Sequence, residues 1–70
     1  MDPNYFFETL NFDIRTAKTK MALKVLQKRA KLFTKEIVNS PLATKKVTNS
    51  VKKSYKESLG KIRAKEELLC

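Results

Sequence analysis

The stretch IRTAKTKMALKVLQKRAKLFTKEIVNSP, residues 14–41, decides how this chain is read. From Ile14 to Val38 it holds no Gly and no Pro, and Ala, Leu, Lys and Met, all strong helix formers, recur along it. Asn39, Ser40 and Pro41 then break the pattern. Asn suits the left-handed position after a helix, Ser the cap of the next helix, and Pro its first turn. These signals predict a helix over 14–38, a joint at 39–41 and a second helix over 41–68. Gly60 weakens the second helix by roughly 1 kcal/mol relative to Ala. The expected fold is all-α: a two-helix hairpin, or a bent helix pair. No strand pattern and no internal repeat is present.

Working outward, Asp2-Pro3 reads as a helix start, with Asp as N-cap and Pro at the first helical position. Tyr5, Phe6, Phe7, Leu10 and Phe12 follow, the densest apolar patch of the chain. Asn11 or Asp13 offers a second cap. Residues 1–13 are therefore expected to form a separate acidic, aromatic segment, a short helix or a bent extension of the next one, ahead of a basic hairpin over 14–70. Two readings of this segment stand side by side. It completes a small core, or its side chains enter a pocket on a partner protein as an anchor.

Helical periodicity sharpens the picture. Stepping 100° per residue, Val47, Val51, Tyr55, Leu59, Ile62 and Leu69 fall within about 120°, a single amphipathic seam. In residues 14–38 the apolar arc is broader. Ile14, Met21, Ala22, Val25, Leu26, Ala30, Leu32, Phe33 and Ile37 spread over about 180°, interrupted by Arg15, Lys18, Arg29 and Glu36. Two packing partners, one on each flank, account for that breadth better than a lipid surface does.

Charge is segregated along the chain. Sixteen Lys and Arg against seven Asp and Glu give +9, with a pI near 10.0. Asp2, Glu8 and Asp13 precede the first base, and Glu66 and Glu67 follow the last, so the span from Arg15 to Lys65 holds all sixteen bases against only Glu36 and Glu57, a net +14. Such a span repels itself unless counter-charges sit close by. Nucleic acid, an acidic protein face or anionic lipid would each supply them.

The bases also follow the helical period. Lys20, Lys24, Lys28, Lys31 and Lys35 recur within about 80°, opposite the apolar arc. Lys45, Lys52, Lys56 and Arg63 line up within about 40° on the second helix, with Asn49 filling the gap and Lys46 and Lys53 widening the face. Rows at this spacing can track a sugar-phosphate backbone and release counterions. Bidentate reading of bases generally uses Arg, Asn or Gln, so lysine-dominated rows favour backbone contact over sequence recognition. A solvated polar face would also place lysines opposite an apolar stripe. It would, however, mix signs through i,i+4 pairs, which are few here. Helix-turn-helix readout fits poorly, because it needs a compact set of short helices.

Other classes are excluded more directly. With one Gly, neither a GxxxxGK[ST] nor a GxGxxG loop exists, and with no His and one Cys there is no zinc set and no nucleophile–base pair. No enzyme activity, cofactor or metal is expected. No run is long and apolar enough for a membrane span, and the acidic N-terminus does not resemble a secretory signal. Ser40-Pro41 looks like a proline-directed phosphorylation sequence, but its capping role accounts for both residues. A single thiol, Cys70, cannot close an intrachain disulfide and points to an intracellular or intravirion setting. Below about 70–80 residues a lone core is small, so stabilisation by a partner or oligomer is expected.

The general plan is similar to many small ribosomal, chromatin-associated and virion proteins, although no motif selects one. The leading expectation is a non-catalytic protein that grips nucleic-acid backbone within a larger nucleoprotein assembly. Alternatives are a helical adaptor that packs on protein or on itself, and a peripheral binder of anionic membrane.

Overall fold

The computed structural model describes residues 2–69 as three helices: α1 (Pro3–Thr16), α2 (Lys20–Asn39) and α3 (Lys45–Leu68). Among the described residues there is no strand. The all-α class is as expected, but the two-helix hairpin is corrected to three packed helices. The aromatic residues Tyr5 to Phe12 lie within the first three turns of α1.

α1 begins as the sequence signalled. Asp2 is its N-cap, accepting a hydrogen bond from the Asn4 backbone N–H at 3.0 Å, and Pro3 follows at the first helical position. Asn11 and Asp13 do not cap a second helix, because α1 runs through both to Thr16. The helix expected over 14–38 breaks instead at Ala17-Lys18-Thr19. Ala17 and Thr19 take extended conformations, and the Thr19 hydroxyl oxygen accepts from the Ala22 N–H at 3.1 Å as N-cap of α2.

Helix geometry gives the reason for the break. In one continuous helix, Ile14 would stand about 120–180° around from Leu23, Leu26 and Ala30. All four are buried. Only a reversal of direction brings them to one core. The broad apolar arc was two arcs belonging to two helices.

The second joint also moves. Asn39 belongs to α2, and no described residue adopts the left-handed conformation. Ser40 ends α2 with extended geometry, which the following proline favours. Pro41 then occupies the second position of a turn closed by the Ala43 N–H on the Ser40 carbonyl, 3.2 Å, while the Ser40 hydroxyl accepts from the Leu42 N–H. The cap of α3 is Thr44, whose hydroxyl accepts from the Val47 N–H at 3.2 Å. Pro41 therefore shapes the turn and does not open a helix.

Contacts along α1 and α3 run in parallel. Pro3 and Asn4 lie beside Val47 and Val51, the Ser58 hydroxyl donates to Asn11 Oδ1 at 3.1 Å, and Lys65 Nζ donates to the Arg15 carbonyl at 2.8 Å. That last bond satisfies a C-terminal carbonyl of α1 with a cation, as the helix dipole favours. α2 runs antiparallel to both, so the chain goes up, down and up in a bundle 40 × 16 × 15 Å. The core comprises Phe7, Leu10, Ile14, Leu23, Leu26, Ala30, Val51 and Ile62. At one end Phe6 stacks on Phe33, ring centroids 3.9 Å apart, and Phe7 meets both rings edge-on. Such ring pairs add about 0.5–1.5 kcal/mol beyond the area they bury.

Two positions carry avoidable costs. A Cβ at Gly60 would meet nothing within 4 Å, so Gly60→Ala should stabilise the protein by about 0.5–1 kcal/mol through helix propensity alone. Thr34 Oγ1, in a residue only 8 % exposed, is buried without a hydrogen-bond partner among the described residues. Thr34→Val removes that unmade bond at nearly constant volume and is expected to be neutral or stabilising by about 1 kcal/mol. Urea-induced unfolding followed by circular dichroism checks both, and a lower midpoint in either variant would contradict this account.

Candidate phosphate-backbone interface

The side of each helix that faces its neighbours locates the lysine rows. On α2, Leu26, Arg29 and Phe33 lie against α1. Leu23, Ala30 and Thr34 sit further round, toward α3. Lys31 is one turn before Thr34, and Lys20, Lys24, Lys28 and Lys35 extend its stripe along the outer α3-side edge of α2. On α3, Val47, Ser50, Ser58, Lys61, Ala64 and Lys65 lie toward α1. Tyr55 and Leu59 therefore turn toward α2. Lys52, Lys56 and Arg63 stand one turn from these two residues, on the edge nearest α2, with Lys45 continuing the row.

The tertiary fold thus turns two rows that the sequence places on separate helices to one outer side of the bundle, the side shared by α2 and α3. All ten predicted contact residues are exposed: Lys20, Lys24, Lys28, Lys31, Lys35, Lys45, Lys52, Lys53, Lys56 and Arg63. Lys53 stands further round α3, away from the rest of its row. Because α2 and α3 are antiparallel, Lys28 comes level with Lys56, and Lys35 with Asn49. Glu36 and Glu57 each fall roughly 120° around from the centre of the row on their own helix. The acids Glu66 and Glu67 lie at one end of α3, beyond Arg63. Between Lys24 and Lys35 on α2 and between Lys45 and Arg63 on α3, the rows themselves carry a single sign of charge.

This face can attract polyanions but offers little for reading bases. Tyr55 is half-buried against the core, so among the described residues this side presents no free ring for base stacking. Arg63 is the only arginine among the row residues. No described group of His, Cys, Asp or Glu could hold a metal ion, and no described helix is long and apolar enough to cross a membrane. Cys70 lies outside the described residues.

The five aromatic-segment residues divide into two sets. Phe7 and Leu10 are buried in the core and Phe6 is covered by its stack on Phe33. Tyr5 and Phe12 point outward, 68 % and 56 % exposed, with the Arg15 guanidinium 5.9 Å from the Phe12 ring centroid. Core completion and outward display are thus divided within one helix, by its 3.6-residue period. A helical wheel of residues 3–16 alone separates Tyr5 and Phe12 from Phe7, Leu10 and Ile14, provided the helix start at Pro3 is extended through Phe12. Sequence reasoning also left out Arg15, Lys61 and Lys65, which line a groove between α1 and α3 above Ile14, Ala64 and Leu68.

Comparison with protein-family models, curated proteins and solved structures finds no match to this chain.

The division within α1 has a direct consequence. Phe7→Ala should cost about 3–5 kcal/mol, comparable with the whole stability of a domain this small, and abolish most of the helical circular dichroism at 37 °C. Phe12→Ala should leave helicity and the unfolding midpoint within about 0.5 kcal/mol of the parent. Equal losses from both substitutions would show that Phe12 is part of the core.

Proposed function

We propose that this chain is a non-catalytic helical protein that binds the phosphate backbone of nucleic acid with little sequence specificity, as a small structural component of a larger nucleoprotein assembly such as a virion, ribosome-like particle or nucleoid. The observation that supports this reading is that the exposed lysine rows of α2 and α3 lie on the same outer side of the bundle, with Glu36 and Glu57 turned away from both rows. A merely solvated face has no need to gather both rows on one side, and interspersed glutamates would lower its self-repulsion. Duplex and single-stranded phosphates both suit a surface of point charges on flexible stems, whereas base recognition does not.

Binding rests on counterion release. With about five phosphates engaged, log K for duplex DNA falls with log[salt] at a slope of roughly −4 to −5. Replacing Lys52, Lys56 and Arg63 together by Gln removes about three of these contacts and flattens the slope by about 2–3. Lys61→Gln, on the α1 side of α3, changes it by less than about one unit. Fluorescence anisotropy with labelled duplexes of two unrelated sequences measures all three. No binding to either duplex or to single strands at about 50 mM salt would overturn the proposal.

A further inference from the structure

An open groove of about 690 Å³ lies between α1 and α3, on the side of the bundle that carries neither full lysine row. Its charged lining is Glu8 and Arg15 of α1 with Lys61 and Lys65 of α3. Its apolar lining is Ile14, Ala64 and Leu68.

Because α1 and α3 run in parallel, these residues follow an order along the groove. Glu8 stands about 10 Å before Arg15 on α1, and Glu57 precedes Lys61 by one turn on α3, so both acids belong to the same end. The Ser58–Asn11 bond fixes the two helices level there. Further along come the cations. Lys65 donates to the Arg15 carbonyl at 2.8 Å, which holds its ammonium at the C-terminal end of α1. The Arg15 guanidinium is steadied by the Phe12 ring, 5.9 Å from its centroid. Leu68, 80 % exposed, comes last, about one turn beyond Lys65. Glu66 turns toward α2, and Glu67 stands roughly 110° round α3 from the middle of the lining stripe, so neither faces the cations.

We infer that this groove binds a small amphiphilic anion, with a carboxylate-like head on a single apolar chain. The head meets Arg15, Lys61 and Lys65, while the chain lies over Ala64 and covers Leu68. The opposite orientation would drive the head toward Glu8 and Glu57, and like charges oppose it. Size selects a small ligand, since such sites take about 300–1,000 Å³ and this lining spans only about two turns of each helix. Charge selects an anion. Three cations line the groove against one acid, and among the described residues no ion pair engages Arg15 or Lys61. The methylene stems of the cations add apolar surface along the chain. The inference does not rest on what the lysine rows of α2 and α3 bind.

Titration of the full chain with dodecanoate, kept below its micelle concentration and followed by methyl and amide NMR, tests it. Saturable shifts are expected at Ile14, Ala64 and Leu68, with a Kd below about 1 mM. Replacing Arg15 and Lys61 together by Gln, both at exposed positions, should weaken binding roughly tenfold or more with helicity retained. Leu68→Gln should weaken it about threefold through the chain alone, and it serves if the double variant fails to fold. Replacing Lys52 and Lys56 by Gln should leave affinity within about twofold. Dodecyltrimethylammonium, with the same chain and the opposite charge, should bind at least about tenfold more weakly. No shift up to about 2 mM dodecanoate overturns the inference. So do shifts spread equally over the lysines of α2 and α3, or equal binding of the cationic probe. Binding to phosphatidylglycerol vesicles without any response to free dodecanoate also overturns it, because the anion is then a lipid surface.

Discussion

Ile14 and Leu23 are nine residues apart and must share one core. That constraint organises the molecule. A single helix would point them in opposite directions, and a chain of seventy residues has no second core to offer. The reversal at Ala17-Lys18-Thr19 resolves the conflict, with Thr19 satisfying a backbone donor at the start of α2. Once the chain turns there, α1 becomes a packing partner of α2, the Phe6–Phe33 stack forms, and α3 closes the remaining side through Val51 and Ile62. The Ser58–Asn11 bond and the Lys65 contact on the α1 C-terminus then set the register of α1 against α3.

Three helices packed as a triangle have three outer sides, and this chain gives each a different chemistry. The α2/α3 side carries the lysine rows. The α1/α2 side carries the exposed Tyr5 ring with Asp13 and Arg29. The α1/α3 side holds an open groove edged by Glu8, Arg15, Lys61 and Lys65. The structural cost is modest, because every row residue stays in water and only the core residues need to be dry.

Much of this was legible from residue order. The helix start at Asp2-Pro3, the amphipathic seam of α3 and both lysine rows follow from periodicity and capping chemistry, which act over three or four residues. The misreadings share a cause. Thr19 and Thr44 both cap helices, yet neither is followed by the acid of a capping box, and Thr also occurs inside helices, as Thr34 does. Ser40-Pro41 carries the stronger local signal but serves a turn. Cap choice there was settled by where α2 had to end for α3 to return along it.

What residue order determined by itself was the inventory: an all-helical chain, the face of each helix that is apolar, and the face that is basic. These depend on local propensity and a 100° step per residue. Tertiary structure decided how many helices there are and which faces meet. It divided one broad apolar arc between α1 and α2, separated Phe7 and Leu10 from Tyr5 and Phe12, and turned the two lysine rows to one side of the bundle. The reason is physical. Burial is satisfied by the whole chain at once, so the direction in which a helix turns is chosen by the core it must join.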